Sequence, residues 1–340
     1  MRITIKDVAS MAGVSKSTVS RVLNRYPNSG INDSTRLKIE RVAKELNFTA
    51  HVSAKALAGQ RTHLIGIIIH DVSSRFTGRL VSEVENVAEQ KGYRVILCNT
   101  RDDIKREMME IISLYQIGVE GFIVEHTGST ESLHWMLDAQ CPFVLLDRCP
   151  TLPSIDYVTI DDVEGGRLAT QALIDAGFKR IAHITATKQM LQAQDRYEGF
   201  CLALKSSGVR FRSNWVVQAE RYWDYVSGKD CADKLLDMSE RPDAFFCFND
   251  YLALGVYQSL TERGLKVGKD VAVVGYDDLE FDAWTSVPLA SVRLDLARVG
   301  FEAASLLLKK IEKGHEGLEK IMLKIPPELV CRESLGMKWK

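Results

Sequence analysis

No apolar run in these 340 residues approaches the roughly 20 needed to span a bilayer, which argues against an integral membrane protein. The opening residues, MRITIKDVAS, lack the apolar stretch of a secretory signal, so a cytoplasmic location is expected. Cysteine is sparse: seven residues (98, 141, 149, 201, 231, 247 and 331), with no C-x-x-C pair among them. An odd, dispersed set argues for reduced thiols, mostly small core residues, and against a disulfide framework. The seven histidines are equally scattered, so no metal site and no cofactor are expected. G-x-G-x-x-G, H-E-x-x-H and G-x-S-x-G are all missing, and no local arrangement singles out a nucleophile. GVSKST (13–18) lacks both the second glycine of a phosphate loop and a preceding strand. No catalytic residue is therefore expected. A hydrophobic content of 46% and a charged content of 26% suit a soluble globular chain of two or three domains.

The richest stretch is TIKDVASMAGVSKSTVSRVLN (4–24), which reads as two short helices joined by a tight turn. Thr4 can cap the first, with Asp7 as its acidic partner. Val8 and Ala12 share a face, and Ala9 is small enough for close helix packing. Gly13 can take the positive φ of the turn, and Val14 plugs it. Ser15 can cap the second helix, whose apolar face is Val19, Val22 and Leu23. Lys16, Ser17, Ser20 and Arg21 remain exposed there, donors suited to base edges and phosphates. An ordinary surface hairpin is the duller alternative, and charge weighs against it. Residues 1–61 hold 11 Lys and Arg against 4 Asp and Glu, net +7, while the whole chain is −1 (44 against 45), leaving −8 for the remainder. A basic head on an acidic body suits phosphate binding by the head alone.

A third helix is expected from about Ser34 to Leu46, capped by Asn32, with Leu37, Ile39, Val42, Ala43 and Leu46 as its apolar face. TAHVSAKALAGQR (49–61) is small and polar apart from Leu57, as in a flexible linker. From His63 the pattern alternates. HLIGIIIH (63–70), YRVILC (93–98), GFIVE (121–125), FVLL (143–146) and YVTI (157–160) read as strands separated by helices. RIAHITA (180–186), WVVQA (215–219), AFFCFN (244–249) and VAVVGYDD (271–278) form a second set. Such alternation implies doubly wound parallel sheets, and so many strands imply two lobes.

Residues 4–24 resemble the headpiece of the LacI/GalR family of bacterial transcription regulators, and the order of the later motifs extends the resemblance over nearly all of the chain. It implies a small all-α helix-turn-helix headpiece (1–48), a hinge helix (49–61) and a two-lobed α/β core of periplasmic-binding-protein type (62–340). Lobe one would span about 62–160 and 291–322, and lobe two about 161–290 and 323–340, with crossings near 161, 290 and 323. The family hinge pattern, roughly Asn-x-x-Ala-Arg-x-Leu, stands here as His51 to Leu57, with Ala54 and Leu57 at their family spacing and Ala50 where proline is common. In the family this helix folds on DNA and places its leucine in the minor groove. The DNA-contacting residues implied are Thr4, Ser15, Lys16, Ser17, Thr18, Ser20, Arg21 and Asn24 from the headpiece, with Lys55 and Leu57 from the hinge.

Effector candidates lie in loops at strand ends, where open α/β sheets bind small molecules. ERYW (220–223) puts Trp223 before what reads as a glycine-started helix. By motif position Arg196, Asn249 and Asp277 match residues that contact effectors in the family, and Trp223 matches an aromatic one. Asp147 and Leu296 also correspond. DVSSRF (71–76) contributes Ser73, Arg75 and Phe76, with Ser74 and Arg75 where the family often has asparagine and proline. Arginine offers a rigid fork to hydroxyls, carboxylates accept hydroxyl hydrogens, and an indole covers sugar C–H groups. Taken singly, Asp277 fits a turn cap equally well, Trp223 a core residue, and Arg196 a surface ion pair. Arg75 and Arg148 point to an anionic effector or are simply solvated.

The expected protein is a homodimeric repressor that binds a pseudo-palindromic double-stranded DNA operator and is controlled by a carbohydrate-type effector: a sugar, sugar acid or sugar phosphate. No membrane partner is expected, and no heptad run suggests a tetramerising coiled coil. The alternatives are a global regulator whose core answers to a protein partner or a purine-like corepressor, and a sugar-processing enzyme in which Asp147 and Asp277 pair.

Overall fold

The structure is a computed structural model that describes residues 3–23, 30–48, 61–72, 75–126, 130–146, 155–221, 224–314 and 320–336, with only the backbone of residues 75 and 76. The chain forms two compact units, one built on Met1–Leu64 with Ser113–Glu120, the other on Ile65–Ile112 and Gly121–Lys340.

Among the described residues the amino-terminal unit carries three helices, α1 (Ile5–Ala12), α2 (Lys16–Leu23) and α3 (Asp33–Glu45). Each begins at a side chain that answers the orphan N–H groups of a helix start. The Thr4 amide and hydroxyl both donate to Asp7 Oδ2, at 2.8 and 2.7 Å. Ser15 Oγ accepts from the Thr18 amide at 3.1 Å, and Asn32 Oδ1 from the Thr35 amide at 2.8 Å. Gly13 sits at φ +67°, where a left-handed residue lets the Val14 amide reach back to the Ala9 carbonyl. Val8, Ala9 and Ala12 then meet Val19, Val22, Ile39, Val42 and Ala43 in one small core. Leu37 does not join them and is 65% exposed, contrary to the sequence reading. It lies two residues from Ile39, about 200° around the helix, and cannot share the face of Ile39, Val42 and Ala43.

The larger unit contains two six-stranded sheets. The first uses β1 (Leu64–Ile69), β2 (Arg94–Asn99), β3 (Phe122–Glu125), β4 (Phe143–Leu146), β5 (Tyr157–Ile160) and β11 (Met322–Ile325) in the order β11-β5-β4-β3-β1-β2. The second uses β6 (Ile181–Thr185), β7 (Val216–Gln218), β8 (Ala244–Cys247), β9 (Ala272–Asp277), β10 (Ala290–Arg293) and β12 (Glu328–Val330) in the order β12-β10-β9-β8-β6-β7. The described pairings are parallel except β10 with β12, which is antiparallel. The apolar runs of β1, β3, β4, β6, β8 and β9 are buried on both faces, as the alternation with helices demands, whereas those of the edge strands β2 and β7 are only partly covered. Ile65, Ile67 and Ile69 of β1 join a core with Leu80 and Val84 of α4 (Arg75–Gln90) and with Ala303 and Leu307 of α11 (Leu296–Lys313). The remaining helices are α5 (Ile104–Gln116), α6 (Thr130–Asp138), α7 (Asp162–Asp175), α8 (Leu191–Ser206), α9 (Tyr225–Leu236) and α10 (Asp250–Glu262).

The chain passes between sheets after Ile160, after Arg293 and after Ile325. The second and third passages fall a few residues later than the sequence reading had them, because β10 and β11 complete their ladders with β9 and β5 first. In both sheets the strand order reverses at the first strand: β2-β1-β3 in one, β7-β6-β8 in the other. Carboxyl ends of strands at such a reversal form the crevice where open α/β sheets hold ligands.

Candidate functional site

In the headpiece, burial of Val19 and Val22 turns the opposite face of α2 outward. Ser15, Lys16, Ser17 and Arg21 are exposed there, with Thr18 and Ser20 half-buried. Ser15 Oγ is also 2.7 Å from Ser17 Oγ and 2.8 Å from Thr18 Oγ1, so three hydroxyls form one chain at the helix start. No acidic residue lies on α2, which leaves a face of cations and donors suited to phosphate and base edges. Asn24, Lys55 and Leu57 lie outside the described residues.

The second sheet carries the other site. Arg196, six residues into α8 and 6% exposed, is the buried member of an ion pair and not the surface one that its sequence allowed. Its Nε donates to Asp162 Oδ1 at 2.8 Å and its Nη1 to the Phe248 carbonyl at 2.6 Å. The guanidinium lies 3.6 Å from the Tyr276 ring centre and 4.3 Å from that of Phe248. Burial works against its charge, and Asp162, followed by Tyr276 and Asp277, together more than offset this, so the cation is held. The same burial, followed by the Asp162 charge, pushes the Tyr276 phenol well above its usual range.

Close helix approach makes this geometry possible. A Cβ on Gly166 of α7 would stand 2.2 Å from the Arg196 carbonyl oxygen, and one on Gly199 of α8 2.0 Å from that of Val163. Only glycine lets α7 and α8 come near enough to join Asp162 to Arg196. Asn249 is buried at the end of β8, and its Oδ1 caps α10 by accepting from the Leu252 amide at 3.0 Å. Asp277 ends β9 in a left-handed conformation, φ +107°, with its charge felt at Arg196. Arg196, Asn249 and Asp277 are thus brought to one end of the second sheet.

Other candidates stand apart or out of view. Leu296 is buried at the start of α11 and lines a cavity of about 620 Å³ with Gly78, Arg79, Arg293 and Pro326. Ser73, Asp147, Arg148 and Trp223 lie outside the described residues, as do the side chains of Arg75 and Phe76. The helix after Trp223 opens at Tyr225, not at a glycine, and is capped by Asp224, which accepts from the Val226 amide at 3.0 Å. Sequence reasoning missed Asp162, Phe248 and Tyr276, the residues that hold Arg196. The adjoining acids Asp161 and Asp162 at a helix start were the one available signal. Among the described residues no group of three or more His, Cys, Asp or Glu is placed to hold a metal, and no helix is long and apolar enough to cross a membrane.

Comparison with known proteins matches residues 4–51 to the sequence model of "Bacterial regulatory proteins, lacI family" and residues 62–332 to that of "Periplasmic binding proteins and sugar binding domain of LacI family". The HTH-type transcriptional repressor PurR of Vibrio vulnificus (strain CMCP6) is 34% identical over 335 residues, 98% of each chain. Among solved structures, the transcriptional regulator CelR in complex with cellobiose is 30% identical, with a TM-score of 0.73 over 98% of this chain and 100% of that one. The lac repressor dimer bound to operator and the anti-inducer ONPF is 27% identical, with a TM-score of 0.85 over 98% and 99% of the two chains.

Proposed function

The chain belongs to the LacI family of bacterial regulatory proteins and is a DNA-binding repressor; on that premise we propose that it acts as a homodimer on a pseudo-palindromic operator, under the control of a small ring-shaped effector held at Arg196. One headpiece offers few base contacts, so specificity calls for a pair. Trp284, 85% exposed, is an apolar side chain of the kind a second copy covers.

The observation that carries the effector reading is the Arg196 guanidinium. Asp162 and the Phe248 carbonyl take Nε and Nη1, and two rings back its face. Asn249 and Asp277 lie at the same end of the sheet. A pre-oriented fork beside a carboxylate and an amide suits the adjacent hydroxyls of a carbohydrate. This is the first reading, and the cellobiose bound to CelR agrees with it. A purine base is the second, favoured by relatives that carry the name PurR.

A thermal-shift screen of the full-length protein against sugars, sugar acids, sugar phosphates and purine bases separates the two. A true effector at about 100 times its dissociation constant stabilises the fold by about 2.7 kcal/mol. Arg196→Ala is expected to abolish that shift. A shift that survives in the variant would move the effector site elsewhere.

A further inference from the structure

Behind the two loops that carry Asn249 and Asp277 lie two fully buried carboxyl groups, Asp250 and Asp282. Asp250 opens α10 directly after Asn249. Its Oδ2 accepts from the Leu279 amide at 3.0 Å and its Oδ1 from Ser291 Oγ at 2.6 Å. It is pressed against β9 so closely that a Cβ on Gly275 would stand 2.0 Å from Oδ1. Asp282 sits in the single turn Glu280–Trp284 that follows β9. The two carboxyl groups are within hydrogen-bonding reach of each other. No N–H or hydroxyl of the described residues reaches either oxygen of Asp282. Two ionised carboxylates cannot hydrogen-bond, and a buried one without a donor is strongly disfavoured. The contact therefore exists only while one of the two acids keeps its proton.

The segment they hold is a strained one. Asp277 (φ +107°) and Asp278 (φ +51°) are consecutive left-handed residues, and such backbone persists only where its surroundings hold it. Arg293 Nε at 2.6 Å and Arg332 Nη2 at 2.5 Å hold the Asp278 carboxylate, and Ser291 Oγ accepts its amide at 3.0 Å. One residue on, the Leu279 amide is held by Asp250 alone.

We propose that Asp250 and Asp282 are positioning residues of the effector site, a buried acid pair that shares one proton and through it clamps the Asp277–Asp282 segment to the start of α10. The clamp's service to an effector rests on the reading of the preceding section; the shared proton does not.

Burial raises both groups, Asp282 to about 7 and Asp250 well above its usual range, the latter helped by the Asp282 charge. The titratable groups facing the pair are Cys247 from β8, Tyr257 from α10, Asp277 and Asp278 from the end of β9, and Arg332 from the carboxyl-terminal segment. Arg332 is the one cation among these, and it is bonded to Asp278 and to the Leu289 carbonyl. A carboxyl whose folded pKa is raised stabilises the fold fully below its unfolded value, and that stability is lost as pH rises through the folded value. The window here runs from about 4 to about 7.

The test compares full-length wild type with Asp282→Asn, whose amide donates to Asp250 without titrating. The variant is expected to gain melting temperature on wild type steadily between about pH 4 and 7, the difference levelling off above. Hydrogen-exchange protection of the Leu279 amide, corrected for intrinsic rate, is expected to persist in wild type as pH passes about 7, because Asp250 still holds the shared proton after Asp282 has ionised. A constant offset between wild type and Asp282→Asn, or loss of Leu279 protection in wild type as Asp282 ionises near pH 7, would overturn the shared proton. Failure of Arg196→Ala to change effector binding would leave the clamp intact and remove only its purpose.

Discussion

His183 stacks on Phe246 at 4.5 Å and on Phe200 at 5.2 Å, with Nδ1 against the Phe246 carbonyl at 3.0 Å. Complete burial lowers its pKa to about 4, partly opposed by the bond to that carbonyl. A buried neutral histidine stabilises the fold above its unfolded pKa of about 6.5, and the stability drains away as pH falls toward the folded value. The acid-side loss attributable to His183 is expected to reach about 3 kcal/mol near pH 4, and His183→Phe is expected to flatten the melting profile between about pH 4 and 6.5. An unchanged acid slope would mean that another group supplies it. This slope runs opposite to that of the Asp250–Asp282 pair. The scattered histidines in the sequence form no metal-ligand pattern, and scatter alone says nothing about which of them is walled in by aromatic rings.

Among the elements, the α7–α8 crossing decides the most. Gly199→Ala places a methyl group 2.0 Å from the Val163 carbonyl oxygen, so the two helices have to move apart. The expected cost is about 1–3 kcal/mol in urea unfolding, with weakened effector binding because Asp162 and Arg196 sit on the two helices that separate. A fully stable variant would show that the crossing tolerates a wider spacing. The recognition helix is the other decisive element. Arg21 projects from the face opposite Val19 and Val22, and Arg21→Ala is expected to cost about 1–3 kcal/mol per half-site and to relax preference at one base in selection from random DNA. An unchanged consensus would assign that base to another residue. Helices and strands were readable because apolar period and caps are local properties. Leu37 misled because leucine at a helix position signals core only when its angle matches its neighbours.

For the whole molecule, the proposed regulation requires operator affinity, set by the headpiece, to answer to a ligand held by the larger unit. Coupling between such sites is typically 1–3 kcal/mol, a roughly 5–150-fold change in affinity. Arg196→Ala is expected to remove that response while leaving ligand-free operator binding within about threefold, since the residue is absent from the headpiece. Titration of operator with and without the effector found in the screen checks this. A variant that still responds would break the link between Arg196 and regulation.

The sequence by itself determined the headpiece and the class of the core. Caps at Thr4, Ser15 and Asn32, the turn at Gly13 and the run of apolar strands each depend on residues within a few positions of one another. It also determined the charge split, which needs only counting. The tertiary structure alone decided who meets whom. Arg196 finds Asp162 34 residues away because glycines let two helices touch. Asp250 receives the Leu279 amide across 29 residues because parallel strands β8 and β9 end side by side. Local pattern sets the conformation of each segment, whereas the partner of a buried charge is set by the packing that removes water from both.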